Sequence, residues 1–520
     1  MIMAEGIDIE FNKRVVPNFI SNIIFFILNI IVGLFLTPFF LDTLGPSAYG
    51  LVPLATSVTT YVILIINSLN TTISRYLTLD LQKNQSDEAN GTFNTAIFGS
   101  LGVILVLTPF ILFFATLTPS IFDIGSSAAI DVVFLFSLVF VAALVRTFGS
   151  NFMVVLFAYN RLDRRNYVNC ANLLIQIISI VFIFLIFGPS LPAVGASYLI
   201  AAVLSVILAY YLSRKTCNIL SISPKYFSKN KFKDIASTAL WVTLNDVGYF
   251  IRTQISLILV NIILGPVANT EFSLVLTWAT LVNSISAIVL NLFVPMIYSY
   301  RSKGDTVGMV RFTATAMRLS GFIVALPIAL ICIFSSQLLT IWVGGEYAHL
   351  GTLFLVLVLP QYIPIIASCA ATIYIAQLRV RLPTIMNMVA AVINIFISLI
   401  LSINCNLGLY GVAFGSVLSA IVYAVFITLY GPYTVNTGKF DLIRSLLPGL
   451  IASLILVSIG LIVTKYLAVE GIFGLIIAGF LISLVYSIII CKIGFRASDK
   501  LLIRNLFPGF INKLIPKWLL

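Results

Sequence analysis

Apolar runs of about twenty residues recur some fourteen times along this chain, and little else in the sequence restricts its fold so strongly. They lie near 17–41, 47–74, 93–118, 130–157, 167–187, 193–213, 236–264, 271–298, 312–341, 350–378, 383–404, 409–432, 447–467 and 471–492. A bilayer core of about 30 Å is crossed by ~20 helical residues, so each run is long enough to span it. Inside hydrocarbon the backbone amides of a segment must be satisfied within that segment or in a closed barrel. The residue-by-residue alternation of a barrel strand is absent, so the runs predict helices. With 60% hydrophobic and 9% charged residues over 520 positions, the expected fold is an all-α polytopic membrane protein.

Charge sets the orientation. All but three of the 30 Lys and Arg residues fall in the tails, in alternate connections between runs or at the run ends that adjoin them, the exceptions being Lys465, Arg146 and Arg252. The positive-inside rule then predicts a multi-pass protein of the cell membrane with both termini cytoplasmic. The net charge of +12 is explained by these juxtamembrane connections, which face anionic headgroups, and it gives no reason to expect a nucleic-acid partner. No cleavable signal is expected, because the first run is long enough to span and follows an acidic stretch ending at Glu10. The six cysteines have no C-x-x-C spacing and the single histidine, His349, has no companion, so neither a metal site nor a cofactor is expected.

The longest basic connection, 214–235, divides six spans from the next six. Leu44-Gly45-Pro46 after the first span recurs as Leu264-Gly265-Pro266 after the seventh, which suggests a parallel internal repeat. The expected organisation is an N-terminal lobe over 1–213, a linker over 214–235, a C-terminal lobe over 236–432, an extra hairpin over 433–493 and a basic amphipathic tail over 494–520.

Lipid-facing helix surfaces do not keep amides, so aligned amides must face protein or water. Asn18, Asn22 and Asn29 share one face of span 1, and Thr56, Thr60, Asn67, Thr71 and Ser74 share one face of span 2. Span 7 carries Asn245, Tyr249 and Arg252 with Asp246 alongside, and span 8 carries Thr280, Ser284 and Asn291. These four spans are equivalent under the repeat, so they are expected to line one polar cavity between the lobes, with glue between helices as the other reading. The stripes Asn169, Asn172, Gln176 and Asn387, Asn394, Ser398 read equally well as glue between helices. An ionised group near the bilayer centre costs at least ~2.5–3.5 kcal/mol, which marks Arg146 and Arg252 as candidates to face an anionic cargo. Arg75, near a span end, is a further candidate that also reads as a snorkelling residue. Asp246 is the acidic residue well inside a span and the candidate for ion coupling, with a static ion pair as the other reading.

The segment Leu44-Gly45-x-x-x-Tyr49-Gly50 follows an asparagine-bearing first span that ends in Thr37-Pro38. Together with the basic connection around Asn160-Arg161-Leu162-Asp163, the two six-span lobes and the extra hairpin, it resembles the polysaccharide-transporter (Wzx-type) flippases of the multidrug/oligosaccharidyl-lipid/polysaccharide exporter superfamily. That resemblance implies a carrier that moves a polyprenyl-pyrophosphate-linked oligosaccharide to the outer leaflet by alternating access, for cell-surface polysaccharide or lipopolysaccharide synthesis. It implies contact with membrane lipids and with polysaccharide polymerase or assembly proteins, while H⁺ or Na⁺ enters as the coupling ion that Asp246 would exchange. Arginines suit a pyrophosphate, and amides and hydroxyls suit a glycan. The fourteen spans also resemble the lipid II flippases, in which the last hairpin helps form a groove for the lipid. A cation-coupled multidrug exporter fits less well, because span 1 has no Asp or Glu between Pro17 and Leu41. A polytopic glycosyltransferase or polymerase would need ionisable residues in a sizeable outer loop, and this sequence has none, so no catalytic residue is expected.

Overall fold

The computed structural model describes residues 2–82, 85–377, 379, 381–433, 440–466 and 471–495. Its helices are α1 (Ile2–Gln82), α2 (Ser86–Ile121), α3 (Ala129–Ala158), α4 (Leu162–Phe187), α5 (Leu191–Thr216), α6 (Lys229–Asn291), α7 (Val294–Ser302) and α8 (Thr306–Ile333). They continue as α9 (Ser335–Val343), α10 (Gly351–Leu357), α11 (Tyr362–Ala376), α12 (Arg381–Leu399), α13 (Gly408–Tyr433), α14 (Asp441–Tyr466) and α15 (Gly471–Ile489). Among the described residues there is no strand. The chain is a multi-pass α-helical membrane protein.

Among the described residues, twelve helical stretches are long and apolar enough to cross a membrane, and two of them, Pro17–Tyr61 and Asp246–Leu290, run for 45 residues each. At 1.5 Å per residue such a stretch is ~68 Å long, about twice the bilayer core. Both break at a glycine that precedes a proline. Gly45 has φ 78°, ψ 164° and Gly265 has φ 86°, ψ −179°, a region that penalises any side chain. Proline adds to the break because it cannot donate to the carbonyl four residues back. The chain reverses at the first of these points. The Tyr49 hydroxyl donates to Thr37 Oγ1 at 3.3 Å, although twelve residues of straight helix would hold the two ~18 Å apart. Counting each long stretch as two crossings turns twelve into the expected fourteen.

Two compact units divide the chain at Thr270, within α6. In the first, Met1–Thr270, the start of α6 packs on α1 and α2, which is why the division falls beyond the 214–235 connection. Ser57 Oγ donates to Gln254 Oε1 at 3.3 Å, and the Tyr61 hydroxyl donates to the Phe250 carbonyl at 3.3 Å. Asn269 Nδ2 donates to the Gly50 carbonyl at 2.8 Å and Thr270 Oγ1 to the Pro46 carbonyl at 2.5 Å, so the two glycine breaks lie side by side. Asn261 completes this end of the unit by exchanging two 3.0 Å hydrogen bonds with the backbone of Asp123, between α2 and α3.

In the second unit, Glu271–Leu520, α14 crosses α8 at a pair of glycines. A Cβ at Gly449 would meet the Gly321 carbonyl carbon at 2.8 Å, so only small residues allow this approach. Tyr362, fully buried beside them, donates to the Leu446 carbonyl at 3.2 Å. By contrast α15 buries one side chain, Tyr486, whose hydroxyl donates to the Phe322 carbonyl at 2.8 Å. Of the expected basic tail, 496–520 lies outside the described residues.

Candidate functional site

The 4–5 connection fixes where α4 begins. Asn160 adopts φ 51°, a left-handed conformation that asparagine tolerates, and it accepts from Asn18 Nδ2 through both its carbonyl and its side-chain oxygen at 3.1 Å. Asn18 Oδ1 in turn accepts from the Asp163 backbone N–H at 2.9 Å, satisfying one of the orphan donors of the helix start. Asp163 is held by Arg161 through paired hydrogen bonds of 2.9 and 2.8 Å, and its negative charge suits the first turn of α4. Asn166 Nδ2 donates to Asn22 Oδ1 at 2.7 Å and to Ser21 Oγ at 2.9 Å, tying α4 to α1 a turn further on. The next face of α4 is thereby set.

That face carries Arg165, Asn169, Asn172 and Gln176 at intervals of four, three and four residues, which is one stripe of a helix about 17 Å long. It looks into a cavity of about 410 Å³ in the first unit. The opposite walls are Thr56, Thr59 and Thr60 from α1, Arg146, Thr147 and Ser150 from α3, and Tyr198 from α5. Ala142, Ala143 and Ala202 keep the space open. Arg146 stands seventeen residues into α3, roughly 26 Å from Ala129 and ~18 Å from Ala158, and its side chain is exposed into the cavity. Tyr198 lies beside both Gln176 and Arg146. Among the described residues no carboxylate lines the cavity and none pairs with Arg146 or Arg165.

The hydroxyls are oriented by their own helices. Thr59 Oγ1 donates to the Ala55 carbonyl at 2.6 Å, Thr60 to Thr56 at 3.1 Å, Thr147 to Ala143 at 2.6 Å and Ser150 to Thr147 at 2.5 Å. Each proton is used along the helix, so the oxygens that remain offer lone pairs. The cavity thus combines two guanidiniums, donors only, with a wall rich in acceptors and amides. It can hold a bulky polar anion that also carries hydroxyl groups.

The sequence-expected residues divide. Arg146 lines the cavity, joined there by Arg165 rather than Arg252. Arg252 lies 5.6 Å from the centroid of the exposed Tyr249 ring in a cation–π contact, with Asp246 half-buried on the same helix. Asn18 is buried in the clamp on α4, Asn22 accepts from Asn166, and Asn29 is exposed. The side chains of Asn67, Arg75 and Asn245, and those of Thr71 and Asn291, lie outside the described residues. Arg165, Asn169, Asn172 and Gln176 complete the cavity lining, and the signal for them was their common helical spacing with the last arginine of the 4–5 connection.

A second concavity, of about 620 Å³, belongs to the second unit. It is an apolar groove between α8, α14 and α15 lined by Phe322, Ile455, Ile459, Val485 and Ile489, with Arg318 among its lining residues. His349, the lone histidine, lies in the same unit with Nε2 3.4 Å from Glu271 Oε1.

A multi-pass helical membrane fold with a polar cavity inside its first unit is the architecture of a transporter. The chain belongs to the polysaccharide biosynthesis protein family, whose match covers residues 15–301, more than half its length. It is 26% identical over 419 residues to the uncharacterized membrane protein EpsK of Bacillus subtilis (strain 168), covering 79% of this chain and 82% of that one. Its fold is similar to the lipid II flippase MurJ in an inward closed conformation, with TM-score 0.66 at 16% identity over 92% of this chain and 100% of that one. It is also similar to an inward-facing multidrug resistance MATE family transporter of the MOP superfamily, with TM-score 0.65 at 16% identity over 79% of this chain and 94% of that one.

Proposed function

We propose that the protein flips a polyprenyl-pyrophosphate-linked oligosaccharide from the cytoplasmic to the outer leaflet of the cell membrane by alternating access. The observation that carries this reading is the pair Arg146 and Arg165, which face one polar cavity that no carboxylate among the described residues lines. Guanidinium forks match phosphate oxygens two at a time, so the pair suits the pyrophosphate. The sugar hydroxyls nearest the phosphate would meet Asn169, Asn172, Gln176 and the lone pairs of Thr56, Thr60 and Ser150. The polyprenyl chain stays in hydrocarbon. In this reading α4 and its clamp on Asn18 are positioning elements, and the basic connections face the cytoplasm. Asp246 is the group proposed to couple transport to H⁺ or Na⁺.

Replacing Arg146 and Arg165 singly by alanine in the producing cell tests the reading. Lipid-linked glycan should accumulate on the cytoplasmic side while surface polysaccharide is lost, and lysine replacements should retain more export than alanine ones. Normal surface polysaccharide in both alanine variants at wild-type protein levels would refute it.

The second reading, a lipid II flippase, is favoured by the apolar groove of α14 and α15, whose shape and lining suit a hydrocarbon chain. Depletion of the gene separates the two. Peptidoglycan precursor accumulates if the cargo is lipid II, and a surface-glycan intermediate accumulates if it is not.

A further inference from the structure

The connection between α5 and α6 is held by side chains rather than by a neighbouring strand. Its backbone is extended at Cys217, φ −139° and ψ 107°, and at Ser223, φ −152° and ψ 131°. An extended segment without a partner strand leaves its peptide groups to be satisfied some other way. Two asparagines one turn apart on α2 satisfy them. Asn90 accepts from the Ser221 N–H at 2.8 Å and donates to the Ile219 carbonyl at 3.2 Å. Asn94 accepts from the Ser223 N–H at 2.8 Å and donates to the Ser221 carbonyl at 2.7 Å. Thr95 accepts from the Ser228 N–H at 3.1 Å, and Lys231 forms an ion pair with Glu88. Cys217 and Leu220 are buried in the same apolar cluster as Ala89 and Phe93 of α2.

With its inner side anchored, the connection presents a fixed outer side. Ile219, Ile222, Tyr226 and Phe227 are between 39% and 55% exposed, an unusual display of large apolar groups for a loop. Lys215, Lys225, Lys229 and Lys233 are exposed among them, and from Arg214 to Lys233 there is no acidic residue. The connection is bounded by the end of one membrane helix at Thr216 and the start of another at Lys229, so it emerges beside the bilayer surface. Cationic heads interleaved with apolar and aromatic side chains are the complement of an anionic headgroup layer over hydrocarbon.

We propose that residues 214–233 form a docking surface for anionic phospholipid headgroups, organised by the asparagine clasp on α2. The lysines meet the lipid phosphates, and the aromatic and isoleucine side chains enter the interface. The clasp removes the disorder that a free basic linker would lose on binding. This inference does not rest on the identity of the transported cargo.

The test uses the full chain in vesicles of phosphatidylcholine with one quarter phosphatidylglycerol, carrying F227W or, separately, Y226W as an added fluorophore. Brominated phosphatidylglycerol should quench the added emission more than brominated phosphatidylcholine at equal mole fraction. The preference should vanish in ~1 M salt, where the screening length is about 3 Å. Combined K225Q, K229Q and K233Q should reduce it on the order of fivefold per lysine, with unchanged melting because none of these lysines belongs to the clasp. Equal quenching by both lipids, or a preference that survives the three substitutions, would overturn the proposal. So would displacement by millimolar inorganic phosphate or by RNA, which would assign the surface to a soluble polyanion.

Discussion

Replacing Arg146 by alanine separates a cargo-binding cation from a structural one. A charge-assisted hydrogen bond contributes about 1.5–3 kcal/mol, so removing the guanidinium should weaken headgroup affinity about 10- to 150-fold. Stability should move the other way or not at all. Breaking a buried ion pair costs about 3–5 kcal/mol because it strands the partner charge. Arg146 lines an open cavity and has no carboxylate partner among the described residues, so its removal strands no partner charge and takes an ionised group out of a membrane span. The assay pairs thermal unfolding in detergent with flipping of a fluorescent short-chain polyprenyl-pyrophosphate oligosaccharide in vesicles. A variant that melts several degrees lower while flipping with unchanged affinity would refute the reasoning, because it would show the arginine to be part of the scaffold.

Three further outcomes follow from the same geometry. Asn18→Ala removes the acceptor for the Asp163 N–H and the donor to Asn160, so unfolding should be easier by about 1–3 kcal/mol, with cargo affinity in the folded fraction nearly unchanged. Gly265→Ala forces a side chain into φ 86° and should cost ~1–2 kcal/mol, read as a lower melting temperature, whereas alanine at the ordinary helical Gly479, with open space around it, should not. Asp246→Asn should abolish gradient-driven flipping in vesicles while cargo binding persists. Undiminished gradient dependence in a well-expressed variant would remove Asp246 from the coupling role.

The long apolar runs made the crossings legible, because a bilayer admits so few solutions for them, and the two glycine breaks were visible as a repeated Leu-Gly-Pro. Less legible was the stripe on α4. Asn169, Asn172 and Gln176 were evident as an aligned amide face, but amides between helices serve packing as often as transport, and spacing cannot say which side is hollow. Arg165 was obscured for a different reason. It ends a basic run that reads as a connection, and only the clamp by Asn18 and Arg161 shows that α4 begins at Leu162 and carries Arg165 on its inner face. Asn18 shows the converse, since its place on a polar face of span 1 gave no hint that its amide is used by the backbone of α4.

The single-glycine breaks at Gly45 and Gly265 affect how this protein can be handled and how it can diverge. At either point one helix passes into the next with no spacer, and the adjoining backbone is tied down by Asn269 and Thr270. A protease needs several residues of pliable chain to seat in its cleft, and an antibody needs a protruding loop, and neither is offered there. Epitope tags or fluorescent fusions placed at these breaks should block folding. Sequence insertions in relatives should accordingly be found elsewhere, leaving these two corners fixed in length.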